Sequence, residues 1–328
     1  MLKKITIPNV LFCILSVQQA QAIQREELTL GTRAMGMAGI FEPQSDDSSG
    51  VLYNPAGLAI AQISDFTIGQ STVDAANDVS QPNLIALSAY NNFTESAFSV
   101  AYANKLQKTV ATTPEVDINS QGLYIGIGKK YSKNIALGIS YSYVTNSSDK
   151  QGTNEEVGFL AMKLGFIGKA IQSKYLHASI AGSYQLMMSN DSLDSNTMNS
   201  ALIIEPQGYN LGANIKLPTP YFLLSLNYST AEYTYDYDIG ASDLPSKKNE
   251  GYSAELHIPV WNKFTASFRM GHREDTWSDL SEKIVTNATG FGISYANTHF
   301  IDMANEIRDA GGNSKTLNYT SLSYAYQF

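Results

Sequence analysis

The sequence predicts an all-β protein, namely a transmembrane antiparallel β-barrel of about fourteen strands with an N-terminal segment inside its lumen. Three observations lead to this fold class. Of the 328 residues only 16% are charged, whereas 20 Tyr and 24 Gly favour strands and turns. Short segments alternate between apolar and polar residues with a period of two, which is typical of strands. Tight turns alternate with longer polar connections along the chain, as in outer-membrane barrels.

Residues 1–22 read as a cleavable secretory signal peptide. Lys3 and Lys4 form a basic start, an apolar run covers residues 10–17, and Ala20-Gln21-Ala22 supplies the small-residue cleavage pattern. A membrane anchor is the alternative interpretation, but the run is far shorter than the roughly 20 residues that span a bilayer. We therefore expect cleavage after Ala22, which removes Cys13, the single cysteine of the chain.

Alternation over residues 133–145 illustrates the strand pattern. Leu137 and Ile139 point to one side, and Ala136 and Gly138 point to the other. A soluble β-sandwich also alternates in this way. Here, however, the second face consists of small, almost uncharged residues, which suit the crowded inside of a closed barrel.

Six tight turns alternate with seven longer connections. The turns are predicted at residues 91–93, 131–133, 169–174, 218–220, 261–262 and 298, and the longer connections include 105–120, 189–200, 231–250 and 272–286. A Greek-key sandwich mixes its connection lengths at both ends, whereas an outer-membrane barrel has short periplasmic turns and longer external loops. The pattern assigns residues 63–328 to the barrel.

The last strand has a distinctive ending. Leu322, Tyr324, Tyr326 and Phe328 alternate with smaller and more polar residues, and the sequence ends on the aromatic. This ending resembles the signal read by the barrel-assembly machinery of Gram-negative outer membranes, although the last strand of a soluble sheet can look similar. Together with the signal peptide and the loop asymmetry, it predicts a multi-pass barrel surrounded by outer-membrane lipid, with tyrosine-rich strand ends at the lipid–water boundaries.

Residues 23–62 show no period of two. Small residues crowd the stretch from Gly31 to Gly39, and residues 46–49 are predicted to cap a short helix that Pro55 interrupts. The predicted lumen is lined by small residues and is wide enough to need filling. These residues are Gly126, Gly128, Ala136, Gly138, Ser140, Gly212, Ser267, Gly290 and Gly292. The segment 23–62 is therefore predicted to be a hatch inside the barrel.

This opening block resembles the start of the FadL-type outer-membrane transporters. The residues that carry the resemblance are the G-x-x-x-x-G stretch within Gly31 to Gly39, Asp46-Asp47, and Tyr53-Asn54-Pro55-Ala56-Gly57. The resemblance implies a hatch that contains the Asn-Pro-Ala motif inside a fourteen-stranded barrel. It also implies passive uptake of a hydrophobic ligand such as a long-chain fatty acid, captured at external loops and released by hatch movement near the motif.

PorV-type components of type IX secretion and TraF-like conjugation proteins look similar in the same block. An accessory role in secretion or conjugation is therefore the alternative function. Either role is non-enzymatic, and the residues agree: His177, His257, His272 and His299 are scattered, and no metal-binding spacing or G-x-S-x-G elbow occurs. No cofactor is expected. The net charge of -8 argues against nucleic acid as a partner.

Strand parity directs five ionisable side chains towards the lumen: Lys163, Glu255, His257, Arg269 and Asp302. A charge facing lipid costs about 2–4 kcal/mol at the bilayer midplane, which favours the inward orientation. Two interpretations stay open. These groups hold the hatch through hydrogen bonds and ion pairs, or they meet a substrate carboxylate with Arg269 or Lys163 as the counter-charge.

Overall fold

The computed structural model describes residues 29–74, 83–109, 116–150, 153–190, 207–234, 246–278, 283–309 and 316–328. Fourteen strands lie within these ranges, and each pairs antiparallel with its neighbours in the chain, while the first pairs with the last to close the barrel. The strands are β1 (Asp65–Asp74), β2 (Asn83–Asn91), β3 (Ser96–Thr109), β4 (Val116–Ser132), β5 (Ile135–Lys150), β6 (Thr153–Gln172), β7 (His177–Asn190), β8 (Gln207–Pro218), β9 (Leu223–Thr234), β10 (Ser246–Trp261), β11 (Phe264–Trp277), β12 (Ile284–Tyr295), β13 (His299–Asp309) and β14 (Leu317–Gln327). The predicted fold class is confirmed. The predicted signal peptide and residues 23–28 lie outside the described residues.

Alternation assigns the two faces of the wall. In β5, Leu137 and Tyr141 are more than two-fifths exposed, whereas Ala136 and Ser140, which directly precede them in the chain, are buried. The same pattern recurs around the ring, so large apolar side chains cover the outside and small residues line the inside. No helix within the described ranges is long and apolar enough to cross a membrane.

The six predicted tight turns all join neighbouring strands at one end of the barrel. Exposed aromatic side chains gather at this short-turn end: Phe93, Tyr131, Tyr175, Tyr221, Trp261 and Phe328. Aromatic rings of this kind prefer the boundary between lipid and water. The short-turn end is thus marked both by its connections and by its side chains.

At the opposite end, the strands extend further than the sequence predicts. β3 continues to Thr109 and β4 begins at Val116, inside the predicted connection 105–120, and only residues 151–152 separate β5 from β6. The predicted long connections 231–250 and 272–286 likewise contain the ends of β9 to β12. Backbone pairing continues where the side chains become polar, because the hydrogen-bond ladder does not depend on them.

Residues 29–62, here called the lumen segment, form three short helices: α1 (Thr32–Met35), α2 (Gly50–Tyr53) and α3 (Ala56–Ala61). Helix α1 contacts β1 and β12 to β14, whereas α3 contacts β2 to β6. One segment that touches both sides of a closed ring must lie within it. The predicted break next to Pro55 is present. Of the predicted capping residues, Ser49 makes no side-chain cap of α2, whereas Asp47 accepts from the backbone N–H of Ser49 at 2.9 Å.

Candidate functional site

The candidate site is the filled lumen, and the second part of the lumen segment (residues 48–62, the motif half) sits tightly against β4 to β7. A Cβ atom added at Gly138 would collide with the backbone of Pro55 and Ala56, and one added at Gly165 would collide with Asn54. At Gly128, the added atom would meet the carbonyl of Pro55 at 2.5 Å. These wall positions must therefore be glycine for the motif to reach the strands.

Asn54 is fully buried, and its side chain joins the motif to the wall. Its Nδ2 donates to the carbonyl of Phe166 at 3.1 Å and to that of Gly182 at 3.4 Å. Its Oδ1 accepts from the backbone N–H of Ala56 at 3.1 Å, at the start of α3. An asparagine is suited to this position because its amide carries both donor and acceptor groups.

The other motif residues hold the lumen segment together. The hydroxyl of Tyr53 donates to the carbonyl of Leu30 at 2.6 Å, and its ring meets Phe41 edge-on with centroids 5.5 Å apart. Gly57 lies against the carbonyl of Ser45, where a side chain would collide. The motif thus fixes the fold of the segment as well as its contact with the wall.

The first part of the lumen segment (residues 29–47, the charged half) is held by ion pairs centred on Glu255. This carboxylate is fully buried and accepts bonds from Arg33 at 2.7 and 2.9 Å and from Arg269 at 2.7 Å. Gln44 donates to it at 2.7 Å, and His257 Nε2 lies 3.2 Å away. A buried carboxylate needs several such partners to offset the loss of hydration.

Two further carboxylates extend this network. Arg269 also pairs with Asp302 at 2.5 Å, on the wall. Asp46, in the lumen segment, lies 2.8 Å from Arg33 and 3.0 Å from Lys216. Burial opposes the ionisation of Asp46, but Arg33 and Lys216 outweigh it and lower its pKa.

Glu42 stands apart from these pairs. Burial raises the pKa of Glu42 to about 7, although nearby Lys163 and a hydrogen bond from the hydroxyl of Ser183 favour the ionised form. Lys163 itself donates to the carbonyl of Leu52 at 2.5 Å. The pKa of Glu42 therefore lies close to neutral pH, at a position inside the barrel beside Ser183 of β7.

The structure directs all five predicted ionisable residues towards the lumen and brings four of them together around Glu255, with Lys163 separate, near Glu42. Sequence reasoning missed Arg33 and Gln44, whose side chains bind the charged half to Glu255. It also missed a second inward cluster in β10, β11 and β13: Lys247, Arg273, Asp275, Glu306 and Arg308. Four of these continue the inward parity of Arg269 and Asp302. For Arg273 and Asp275, the assignment of residues 272–286 to a loop obscured this signal.

A cavity of about 430 Å³ lies between the lumen segment and the inner face of β6 to β8, near the short-turn end. Isoleucines line one part of it and basic side chains another. Within the described ranges, no three His, Cys, Asp or Glu side chains are grouped as metal ligands. The cavity therefore offers both apolar and polar contacts.

Three solved structures resemble this architecture. A FadL homologue from Pseudomonas aeruginosa matches with a TM-score of 0.58 at 10% identity, over 92% of this chain and 98% of that one. The Ralstonia pickettii toluene transporter TbuX matches at 0.58 and 12% identity, over 91% and 97%. The P. putida toluene transporter TodX matches at 0.56 and 10% identity, over 86% and 94%.

This chain has the FadL-type fold. No family model and no curated protein sequence matches it. At these identities the likeness shows the fold alone, through the shared path of the strands. The function of the lumen depends on the residues that line it.

Proposed function

We propose that the protein is a non-enzymatic outer-membrane channel for passive passage of hydrophobic small molecules such as long-chain fatty acids. The observation that carries this proposal is a closed barrel with an apolar outer face whose lumen is filled by a segment held through non-covalent contacts. A lumen closed in this way requires movement of the segment before a solute can pass. The solved FadL homologue and toluene transporters of the same fold support the choice of solute.

The lumen segment acts as the hatch in this proposal. The motif half fits against glycines of the wall and stays in place, because any large movement would lose contacts that backbone atoms make at close range. The charged half also packs closely on the wall, with the backbone of Met37 against Gly271, but water or a ligand anion can replace its ion pairs. Release therefore involves movement of residues 29–47 away from the barrel wall, with Asn54-Pro55-Ala56 as the fixed end.

Assembly in the outer membrane is part of the same proposal. The outward aromatic residues of β14 form its terminal pattern, and the backbone N–H of Phe328 donates to the carbonyl of Ser64 at 2.9 Å, beside the closing pair β1–β14. The barrel-assembly machinery recognises this strand, and lipid surrounds the finished barrel. Deletion of Phe328 should lower the amount of folded, heat-modifiable protein, whereas Phe328→Trp should keep it.

The function is tested with purified protein in lipid vesicles. Wild-type protein should increase entry of toluene or oleate over empty vesicles, and a disulfide that locks the lumen segment to the wall, Thr32→Cys with Ser321→Cys, should abolish the increase until reductant is added. The two hydroxyls replaced lie 2.7 Å apart. Cell fractionation should place the protein in the outer membrane. A barrel that admits neither solute would contradict the proposal and favour the accessory role in secretion or conjugation.

A further inference from the structure

The outer face of the barrel wall changes character on one side of the ring. Four adjacent strands, β12, β13, β14 and β1, carry outward polar side chains that form one group, here called the polar patch: Thr289, Asn305, Thr320, Thr72 and Gln70. Cross-strand pairs join Thr289 to Asn305, Asn305 to Thr320, and Thr320 to Thr72. Gln70 is the next outward residue of β1 beside Thr72, so the patch is continuous.

The polar patch lies within the height of the wall that lipid covers. Thr289 and Asn305 are each six residues from the short-turn ends of β12 and β13. At about 3.3 Å per residue and a strand tilt of about 40°, this position is roughly 15 Å above the short turns, inside the apolar band of roughly 25 Å that such barrels have. The outward residues six positions from the same end of β5 and β6 are Tyr141 and Phe166. The opposite wall is therefore aromatic at the depth where this wall is polar.

Polar side chains at this depth need hydrogen-bond partners, because hydrocarbon offers none. Asn305 Nδ2 donates to Asn318 Oδ1 at 2.5 Å and to the carbonyl of Tyr319 at 3.2 Å. These bonds use only the donor side of the Asn305 amide. Within the described part of the chain, Asn305 Oδ1 and the side-chain amide of Gln70 take part in no hydrogen bond. The patch therefore keeps donors and acceptors for a further polar surface.

An apolar groove of about 560 Å³ borders the polar patch on its β11 side. Its large apolar lining residues include Tyr252, Met270 and Ile307, and Thr289 and Asn305 of the patch line it as well. Tyr252 and Met270 are each more than three-fifths exposed, so the groove opens to the outside of the barrel. Stable protein interfaces combine apolar packing with a limited number of hydrogen bonds. The groove and the patch supply these two components side by side.

The chemistry of the polar patch selects its partner. Two copies that span one membrane in the same orientation are related by a two-fold axis along the membrane normal, so each depth of one copy meets the same depth of the other. A row of like charges would repel itself in that geometry, whereas amides and hydroxyls carry both donors and acceptors and can pair with themselves. The patch consists of two amides and three hydroxyls. It is therefore complementary to the same patch on a second copy.

We propose that the outer face of β12, β13, β14 and β1 is a pairing surface for a second copy of this chain. Asn305 and Gln70 form hydrogen bonds across the two-fold axis, and the apolar groove packs beside them. Each barrel keeps its own lumen and its own lumen segment. The inference goes beyond the proposed function, because it concerns the outside of the wall and requires no solute.

Cysteine cross-linking in isolated outer membranes tests the position of the pairing surface. Cys13 is the single cysteine of the sequence, so wild-type protein serves as the blank. Asn305→Cys and Gln70→Cys, treated with a flexible bis-maleimide, should each give a band at twice the monomer mass. Tyr141→Cys, at the matched depth on the opposite wall, should stay monomeric. Monomer in both patch variants, equal cross-linking of Tyr141→Cys, or a cross-link to a different protein alone would overturn the inference.

The strength of pairing is measured by light scattering on full-length protein in mild-detergent micelles over a dilution series. Asn305→Leu removes the amide from both copies at once and should raise the dimer dissociation constant about tenfold, the combined effect of two lost hydrogen bonds. Tyr141→Leu is the matched control and should leave the constant unchanged. Heat-modifiable migration establishes that each variant is folded. Unchanged association of both Asn305→Leu and Gln70→Leu would refute the pairing surface.

Transport into vesicles separates this inference from the proposed function. If wild-type protein pairs but admits no solute, the pairing surface stands and the proposed function fails. If solute enters while Asn305→Cys and Gln70→Cys stay monomeric in membranes, the channel stands and the pairing surface is refuted.

Discussion

The two halves of the lumen segment both pack closely on the barrel wall, but they differ in the polar contacts that hold them. The motif half lies against backbone at Gly128, Gly138 and Gly165, and Asn54 adds hydrogen bonds to two wall carbonyls. The charged half also lies against wall glycines, but it adds the ion pairs formed by Arg33 and Asp46. Close packing is short-ranged and is lost at once when atoms separate, whereas ion pairs can exchange partners. The comparison suggests one fixed end and one releasable end.

The largest effect on the attachment of the lumen segment is expected when a side chain is added at Gly138. Gly138→Val should expel the motif half from the wall, because the new atoms would occupy the space of the Pro55 and Ala56 backbone. Limited proteolysis should then cleave the lumen segment, and small-solute leakage should rise, while the protein stays heat-modifiable. Gly168→Val is the matched control, since the nearest atom to its Cβ lies at 3.6 Å. Equal protease resistance of both variants would show that the motif half is not held by packing.

The next effect concerns the charged half. Glu255→Gln removes the carboxylate that Arg33 and Arg269 share and should cost about 3–5 kcal/mol, because buried cations lose a partner. Urea titration in micelles measures this loss, and cleavage should begin within residues 29–47.

Glu274→Gln is the control for that variant. It alters an exposed pair with Lys283, and its stability should stay close to that of the wild type. If Glu255→Gln exposes the motif half first, the assignment of the releasable end is reversed.

A smaller effect is expected at Asn54. Asn54→Ala leaves the carbonyls of Phe166 and Gly182 without its donor and should cost about 1–3 kcal/mol. Asn54→Asp keeps the acceptor towards Ala56 but places a buried carboxyl group against two carbonyl oxygens, so it should cost at least as much as Asn54→Ala. Asn134→Ala, which removes an exposed bond to Gln172, serves as the reference. A loss no larger than that of Asn134→Ala would mean that packing alone holds the motif.

The smallest effect is a dependence of stability on pH. The pKa of Glu42 is raised by burial from 4.5 to about 7, so the folded state retains a proton that the unfolded state has lost. Stability should therefore fall as pH rises from about 4.5 to about 7. Burial likewise raises the pKa of Asp47 to about 6, so Asp47 contributes in the same sense below that pH.

Glu42→Gln should flatten the fall above pH 6 and leave the part due to Asp47, as measured by protease resistance of the lumen segment at each pH. Glu95→Gln, on an exposed turn, should keep the wild-type profile. An unchanged slope in Glu42→Gln would assign the pH dependence elsewhere.

The barrel wall could be predicted from the amino-acid sequence. Alternation at i and i+2 is a local property of the backbone, and for this reason the strand number, the short turns and the inward face of Gly138 or Arg269 could all be predicted from it. The strand ends could not, because their polar side chains look like loops although the backbone continues to pair. The inward side chains of Arg273 and Asp275 were missed for that reason.

The contacts between distant residues inside the barrel depend on the tertiary structure. Arg33 and Glu255 are 222 residues apart, and Asn54 and Phe166 are 112 apart. The small lumen residues touch the segment as expected, but the pairing of Gly138 with Pro55 could be read only from the structure. No local pattern encodes these partners, because closing the ring brings many strands around one segment at once. Docking then depends on shape and charge summed over all of them.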